Sequence, residues 1–122
     1  MIKRFHSNLF FTSDLEKATD FYTKLGFEVA KTDGAIRMKI GDFTLAIMDE
    51  KAATIQEATK SGPRGAGMFL YIEVDDVDEQ YRIVCDVGII STEPKDWPWG
   101  KREFVVKDPD GYHLVFYTPT RK

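Results

Sequence analysis

The chain carries one phrase twice, and that repetition limits what it can fold into. Ser13-Asp14-Leu15-Glu16 runs through Phe21-Tyr22 to Leu25-Gly26-Phe27, and Asp75-Asp76-Val77-Asp78 runs through Ile83-Val84 to Val87-Gly88-Ile89. The two copies stand 62 residues apart in a chain of 122 residues. A duplicated half-domain leaves neither copy to bury its apolar face alone. The expected architecture pairs two similar modules and puts any site in the cleft between them.

Local signals give each module its elements. Phe5 to Thr12 is rich in aromatic and β-forming residues and reads as a strand, and Ser13 with Glu16 three residues on reads as a capping box that opens a helix. Leu15, Ala18, Phe21, Tyr22 and Leu25 fall on one helical face, and Gly26 supplies the left-handed cap. Phe27 to Thr32 and Ala35 to Ile40 read as strands joined at Asp33-Gly34, and Phe43 to Met48 follows the turn at Gly41-Asp42. The first half is thus βαβββ. Lys51 to Gly67 is polar and rich in small residues, as a linker is. Met68 to Val74 then reads as a strand, Asp76 to Val87 as a helix stopped by Gly88, and Ile89 onward as a strand. Glu93 to Lys101, with Trp97-Pro98-Trp99-Gly100, reads as a loop that the first half lacks. Arg102 to Lys107, the turn Asp108-Pro109-Asp110-Gly111 and Tyr112 to Thr118 complete the order. The fold class is α+β: one domain over 1–122, with modules at 1–50 and 68–122 and a linker at 51–67, its two βαβββ units forming a curved, cleft-bearing mixed sheet.

Composition removes several classes of function. With 43% hydrophobic and 30% charged residues the chain is an ordinary globular one. A net charge of -3 argues against a nucleic-acid partner, which needs a basic face. No stretch has the length or apolarity of a membrane span or a signal peptide. The single Cys85 makes no internal disulfide, which suits a reducing, cytoplasmic setting, and its place in the helical pattern predicts a buried thiol. There is no Ser-His-Asp set, phosphate loop or Cys-x-x-Cys pair, so no nucleophile is visible.

Two βαβββ modules, the doubled phrase, and Trp99-Gly100 leading to Asp108-Pro109-Asp110-Gly111 together resemble the vicinal oxygen chelate superfamily. That group includes glyoxalase I, extradiol dioxygenases, fosfomycin-resistance enzymes and bleomycin-resistance binding proteins. The resemblance implies that metal-dependent members place an imidazole near the start of each module's first strand and a carboxylate on each module's last strand. Matched onto this chain, those positions are Ser7, Phe69, Val115 and Ala46, or a neighbour of Ala46, Leu45 or Ile47. One serine hydroxyl among apolar side chains makes no metal centre, so no metal and no cofactor is expected. His6, one residue from the Ser7 position, points to the other face of its strand and reads as a surface or packing histidine. His113 shares the face of Val115 and reads as a lining residue at the cavity mouth.

By strand alternation the vacated face also presents Leu9, Phe11, Tyr71 and Tyr117, with Phe104 and Met38 as neighbours, a surface suited to a flat organic molecule. Trp97 and Trp99 are placed to stack on a planar ring, and Arg102 to meet a carboxylate or stack. The candidate binding set is therefore Ser7, Leu9, Phe11, Phe69, Tyr71, Trp97, Trp99, Arg102, Phe104, His113 and Val115, with no catalytic residue. Glu73 lies on the inward face at its strand end, while Asp108 and Asp110 read as turn residues. The resemblance is nearest to the bleomycin-resistance class, which implies a homodimer that sequesters a drug-like molecule without metal. Two alternatives stay open: a divergent glyoxalase-like lyase or extradiol-type dioxygenase recruiting His113 and Glu73, and a dimeric interaction module with a filled core.

Overall fold

The computed structural model describes residues 1–52 and 64–120, and the part of the expected linker at 53–63 lies outside them. The chain divides into two compact units, Met1–Ser61 and Gly62–Lys122. In the first, β1 (Ser7–Thr12), α1 (Leu15–Leu25), β2 (Ala30–Thr32), β3 (Ala35–Ile40) and β4 (Phe43–Asp49) are followed by a short 3-10 turn, Glu50–Ala52. In the second, β5 (Phe69–Glu73), α2 (Val77–Val84), β6 (Ile89–Trp97), β7 (Lys101–Lys107) and β8 (His113–Pro119) repeat that order. Each unit forms one four-stranded mixed sheet, β1-β4-β3-β2 and β5-β8-β7-β6. The first strand of each runs parallel to the last, and the other pairs are antiparallel. The parallel pair is made possible by the helical crossover, which lays a helix over one face of the sheet.

The helix starts are where the duplicated phrase does its local work. Asp14, rather than Ser13, is the N-cap of α1, its carboxylate accepting from the Lys17 amide at 3.1 Å. The buried Thr12 hydroxyl sets the entry, accepting from the Asp14 amide and donating to the Asp14 carbonyl. Asp76 caps α2 and accepts from the amides of both Asp78 and Glu79. Thr118 on β8 stitches that start to the sheet: its hydroxyl accepts from the Val77 amide and donates to the Val74 carbonyl. A short acceptor at this position satisfies amides that have no partner inside the helix. Gly26 ends α1 at φ 110°, in the left-handed region that only glycine enters freely. α2 stops sooner than the pattern suggested, at Val84, with Cys85 as its C-cap and the amides of Val87 and Gly88 both reaching back to the Val84 carbonyl. Cys85 is therefore exposed and not buried, because the helix ends before the apolar face can cover it.

Under the helices lie the apolar cores: Phe10, Ile36, Met38, Leu45 and Ile47 with Phe21, Tyr22 and Leu25 in the first unit, and Phe104, Val106, Leu114 and Phe116 with Val77 and Val84 in the second. Each such side chain taken from water stabilises by roughly 1.5–3 kcal/mol. Met38 pairs with Leu45 and belongs to this buried set, so it is not a neighbour of Leu9 on the opposite face. The two-residue turn Gly41-Asp42 pairs Ile40 with Phe43 and thereby sets that parity.

The segment Glu93 to Lys101 is not a loop. β6 runs through it to Trp97, pairing with β7 as far as Trp97↔Lys101, with register irregularities between Ile90 and Thr92 and between Thr92 and Lys95. Bulges let a strand carrying Pro94 continue along a sheet edge. The insertion thus lengthens a hairpin: matched positions are 62 apart at Ser7 and Phe69 but 69 apart at Ala46 and Val115. Conversely, Phe27 to Val29 stays outside β2, which begins at Ala30. Among the described residues no helix is long and apolar enough to cross a membrane.

Candidate functional site

The sheet face of the second unit that points away from α2 concentrates the unusual side chains. β5 contributes Phe69, Tyr71 and Glu73, paired with His113, Val115 and Tyr117 of β8. β7 contributes Lys107, Val105, Glu103 and Lys101 at the positions facing His113, Val115, Tyr117 and Pro119. Side chains two apart on adjacent strands share a face, so these residues form one surface. Phe69 and Tyr71 stand exposed, at 56% and 45%. Phe69 meets the His113 ring at 5.4 Å between centroids, and Tyr71 meets Tyr117 edge-on at 5.9 Å. His113 Nδ1 is buried and has no hydrogen-bond partner among the described residues.

The end of the long hairpin closes over this surface. Trp97 and Trp99 stack with centroids 4.8 Å apart and planes 9° from parallel. Trp99 is held in plane by its indole N–H, which donates to Glu103 Oε1 at 3.1 Å, yet 54% of it stays exposed. Glu103 itself is only 6% exposed and also accepts from the Tyr71 hydroxyl at 3.4 Å. Burial, reinforced by the charge and hydrogen bond of Glu103, pushes the Tyr71 hydroxyl above its ordinary pKa. Tyr117 is raised in the same way, by burial and then by Glu73, to which its hydroxyl donates at 3.2 Å. Lysine ammonium groups rest on the rings: Lys95 lies 4.2 Å from the Trp97 centroid, and Lys101 lies 5.1 Å from Tyr117 and 6.0 Å from Tyr71. Such cation–π contacts are each worth about 0.5–1 kcal/mol at exposed sites.

Two second-unit members of the expected set lie on the other face of this sheet. Phe104 pairs with Phe116, is fully buried, and packs edge-on to Tyr81 of α2 at 5.3 Å, so it belongs to the helix-side core. Arg102 is on that side too, its guanidinium donating to both carboxylate oxygens of Asp78 and to Asp96. Those hydrogen bonds, with Asp78 the larger contributor, hold it protonated more firmly than a free arginine. It lines a shallow depression of about 210 Å³ with Asp75, Asp76 and Asp78, where its charge is already answered. The expected set thus has the wrong parity on β7 and lacks Glu103 and Lys101. The signal was the length of one turn. Asp108 Oδ1 accepts from the amides of Asp110 and Tyr112, both at 2.9 Å, and closes a turn through Tyr112 that pairs Lys107 with His113. Had Tyr112 begun the strand opposite Lys107, every β7 side chain would have changed face.

In the first unit, Ser7, Leu9 and Phe11 of β1 face away from the helix-side core, opposite Thr44, Ala46 and Met48. Leu9 pairs with Ala46 as Tyr71 pairs with Val115, so Ala46, not Leu45 or Ile47, is the counterpart of Val115. The positions that the resemblance implies for metal ligands fall on Ser7, Ala46, Phe69 and Val115, and of these side chains only the serine has a lone pair to offer. That donor set does not fit a divalent cation. Among the described residues no group of three or more His, Cys, Asp or Glu side chains is arranged to hold a metal. His6 is exposed, and Asp108 is a buried turn residue.

The fold and its comparisons agree on kinship. Residues 4–116 match the model of the Glyoxalase/Bleomycin resistance protein/Dioxygenase superfamily, and the chain belongs to that family. It is 29% identical over 123 residues to a bleomycin resistance protein of Geobacillus stearothermophilus, covering 85% of this chain and 88% of that one. A solved structure of the Staphylococcus aureus hypothetical protein SA1046 is 26% identical, with a TM-score of 0.80 over 97% of this chain and 94% of that one. A glyoxalase-related enzyme from Fulvimarina pelagi shares the fold, with a TM-score of 0.81 at 20% identity over 96% of this chain and 88% of that one.

Proposed function

We propose that this chain binds a small planar or aromatic organic molecule without metal and without covalent chemistry, as a sequestering protein of the bleomycin-resistance type. One observation carries the reading: two indoles stacked in parallel, the outer one 54% exposed and fixed in plane by a bond to a buried carboxylate. A preorganised aromatic plane costs little to order on binding, and a third ring continues the stack. Phe69, Tyr71 and the unpartnered Nδ1 of His113 extend the same face. The kinship with bleomycin resistance proteins supports the same class of ligand. Metal independence is supported by the chemistry of Ser7, Ala46, Phe69 and Val115.

Titrating the protein with glycopeptide and planar aromatic antibiotics tests this directly. Tryptophan emission is expected to be quenched and the melting temperature to rise. A panel that leaves both unchanged removes the reading. Elemental analysis after dialysis is expected to find no stoichiometric metal; near-stoichiometric zinc, nickel, manganese or iron that is lost in His113→Ala would replace sequestration with metal chemistry.

The protein is further proposed to work as a cytoplasmic homodimer. Ile40, Ile83 and Ile89 are 63%, 42% and 67% exposed, apolar area that a second copy would cover. The exposed thiol of Cys85 suits a reducing compartment. Light scattering at micromolar concentration is expected to give twice the chain mass, and a monodisperse species of 14.0 kDa would refute the dimer.

A further inference from the structure

Glu103 is a buried carboxylate with no ion-pair partner among the described residues, although Lys95 stands opposite it on β6, where its ammonium rests on the Trp97 ring instead. Its two hydrogen-bond donors, the Tyr71 hydroxyl and the Trp99 indole, are both neutral. Among the described residues no lysine, arginine or histidine forms an ion pair with it, whereas Arg102 pairs with Asp78 and Asp96, and Arg82 with Glu79. An ionised carboxylate can accept about four hydrogen bonds, so two donors leave half its capacity free. Burying such a charge without a cation is costly, and the cost is recovered when a cation arrives.

The rings around it already show which charge they prefer. Lys101 sits two residues before Glu103 on the same face of β7, and its ammonium is spent on the faces of Tyr117 and Tyr71, not on Glu103. We propose that this face is selective for organic cations: Glu103 supplies the counter-charge, and Lys101 is an internal competitor that the cationic group of the ligand displaces from the tyrosine rings. The ligand class is then a planar aromatic molecule bearing a protonated amine, an amidine or a cationic ring, small enough to reach both Trp99 and Tyr71. This rests on the reading of the face as a ligand platform and adds to it the sign of the ligand's charge. A carboxylate-bearing ligand would meet the like charge of Glu103, while Lys95 and Lys101 are held on the aromatic rings and Arg102 is on the opposite side of the sheet.

The test compares three flat probes of similar size at neutral pH: cationic proflavine, neutral acridine and anionic anthracene-2-carboxylate. Wild-type protein is expected to bind proflavine most tightly and the anion least. In Glu103→Gln, which keeps the shape and an acceptor for Trp99, proflavine affinity should fall about ten-fold or more while acridine affinity barely moves. In Lys101→Met the proflavine preference should widen, because the competing ammonium is gone and the apolar stem is kept. Acridine binding as tightly as proflavine, with neither variant altering the ratio, would overturn cation selection and leave the platform reading intact. If none of the probes binds, both fall. Should Glu103→Gln not fold, Lys101→Met decides alone, and an unchanged or narrowed preference in that variant refutes the proposal.

Discussion

The two sheets have the same strand order and the same helical crossover, yet their open faces differ in kind. Ser7, Leu9 and Phe11 of β1, Thr44, Ala46 and Met48 of β4 and Ala35, Arg37 and Lys39 of β3 make the first, with one aromatic ring and no carboxylate among these residues. The second carries Phe69, Tyr71, Glu73, His113 and Tyr117, with Glu103 and two tryptophans brought over them by a longer hairpin. The centres of the helix-side faces did not diverge in this way: Phe10, Ile36, Met38 and Ile47 in one and Phe104, Val106, Leu114 and Phe116 in the other are apolar and buried. A duplicated backbone is preserved by its core and caps, while the face away from the helix is free to change. In this chain the change is concentrated in one half.

The equivalence of the cores gives the largest expected effect. Phe104 pairs with Phe116 as Ile36 pairs with Ile47, so the two are matched positions, and both are fully buried. Phe104→Ala is expected to cost about 3–5 kcal/mol and Ile36→Ala about 2–5 kcal/mol, read from chemical denaturation. A cost below about 1 kcal/mol at either position would break the match between the cores.

The open faces should behave in the opposite way. Trp99→Ala is expected to weaken a stacked planar ligand by about ten-fold or more, the ring contact being worth roughly 1 kcal/mol beyond the area it buries. Leu9→Ala, at the 47% exposed matching surface of the first unit, should leave that affinity alone. Fluorescence titration measures both, and equal losses would mean that the first face takes part as much as the second. If Trp99→Ala and Trp97→Ala instead leave affinity unchanged while the dimer dissociates, the indoles form an interface.

The helix caps test the duplicated phrase itself. Asp14→Ala and Asp76→Ala should each destabilise by about 1 kcal/mol, with Asp76 the larger because it accepts from two amides where Asp14 accepts from one. Thermal melts that reverse this order would show that the tertiary bonds of Thr12 and Thr118 outweigh the caps.

The smallest effect is a pH dependence confined to the second face. Tyr71 and Tyr117 are raised above the ordinary 10.0 by burial first and by Glu103 and Glu73 after it. The folded state then keeps protons that the unfolded chain releases, so this contribution to stability is fully present below pH 10.0 and is lost as pH rises through the elevated values. Replacing both residues with Phe should flatten the alkaline fall in melting temperature, and an unaltered fall would assign it to other groups, such as the raised Tyr81.

Much of this architecture was legible because its causes are local. Gly26 at φ 110° and the two-residue turn Gly41-Asp42 depend on residues within a few positions of one another. The amphipathic spacing of Phe21, Tyr22 and Leu25 predicts which side of α1 is buried. Errors arose where one residue of register decides the outcome. A turn after β7 that ends at Gly111 would put Arg102 and Phe104 on the open face; Tyr112 lengthens it by one residue and sends both to the helix side.

What the sequence by itself determined is the repeat, the βαβββ order of each half, the kinship and the aromatic character of the second half, all of which follow from short-range pattern and composition. What only tertiary structure decided is which side chains share a surface. Asp108 closes its turn through Tyr112 and so sends Glu103 and Lys101 to the face of Tyr71 and Trp99 while Arg102 goes to Asp78. The physical reason is the two-residue period of a strand: hydrophobicity constrains a buried face strongly, but on β7 both faces hold apolar and charged residues, and only the hydrogen-bond register between strands breaks that tie.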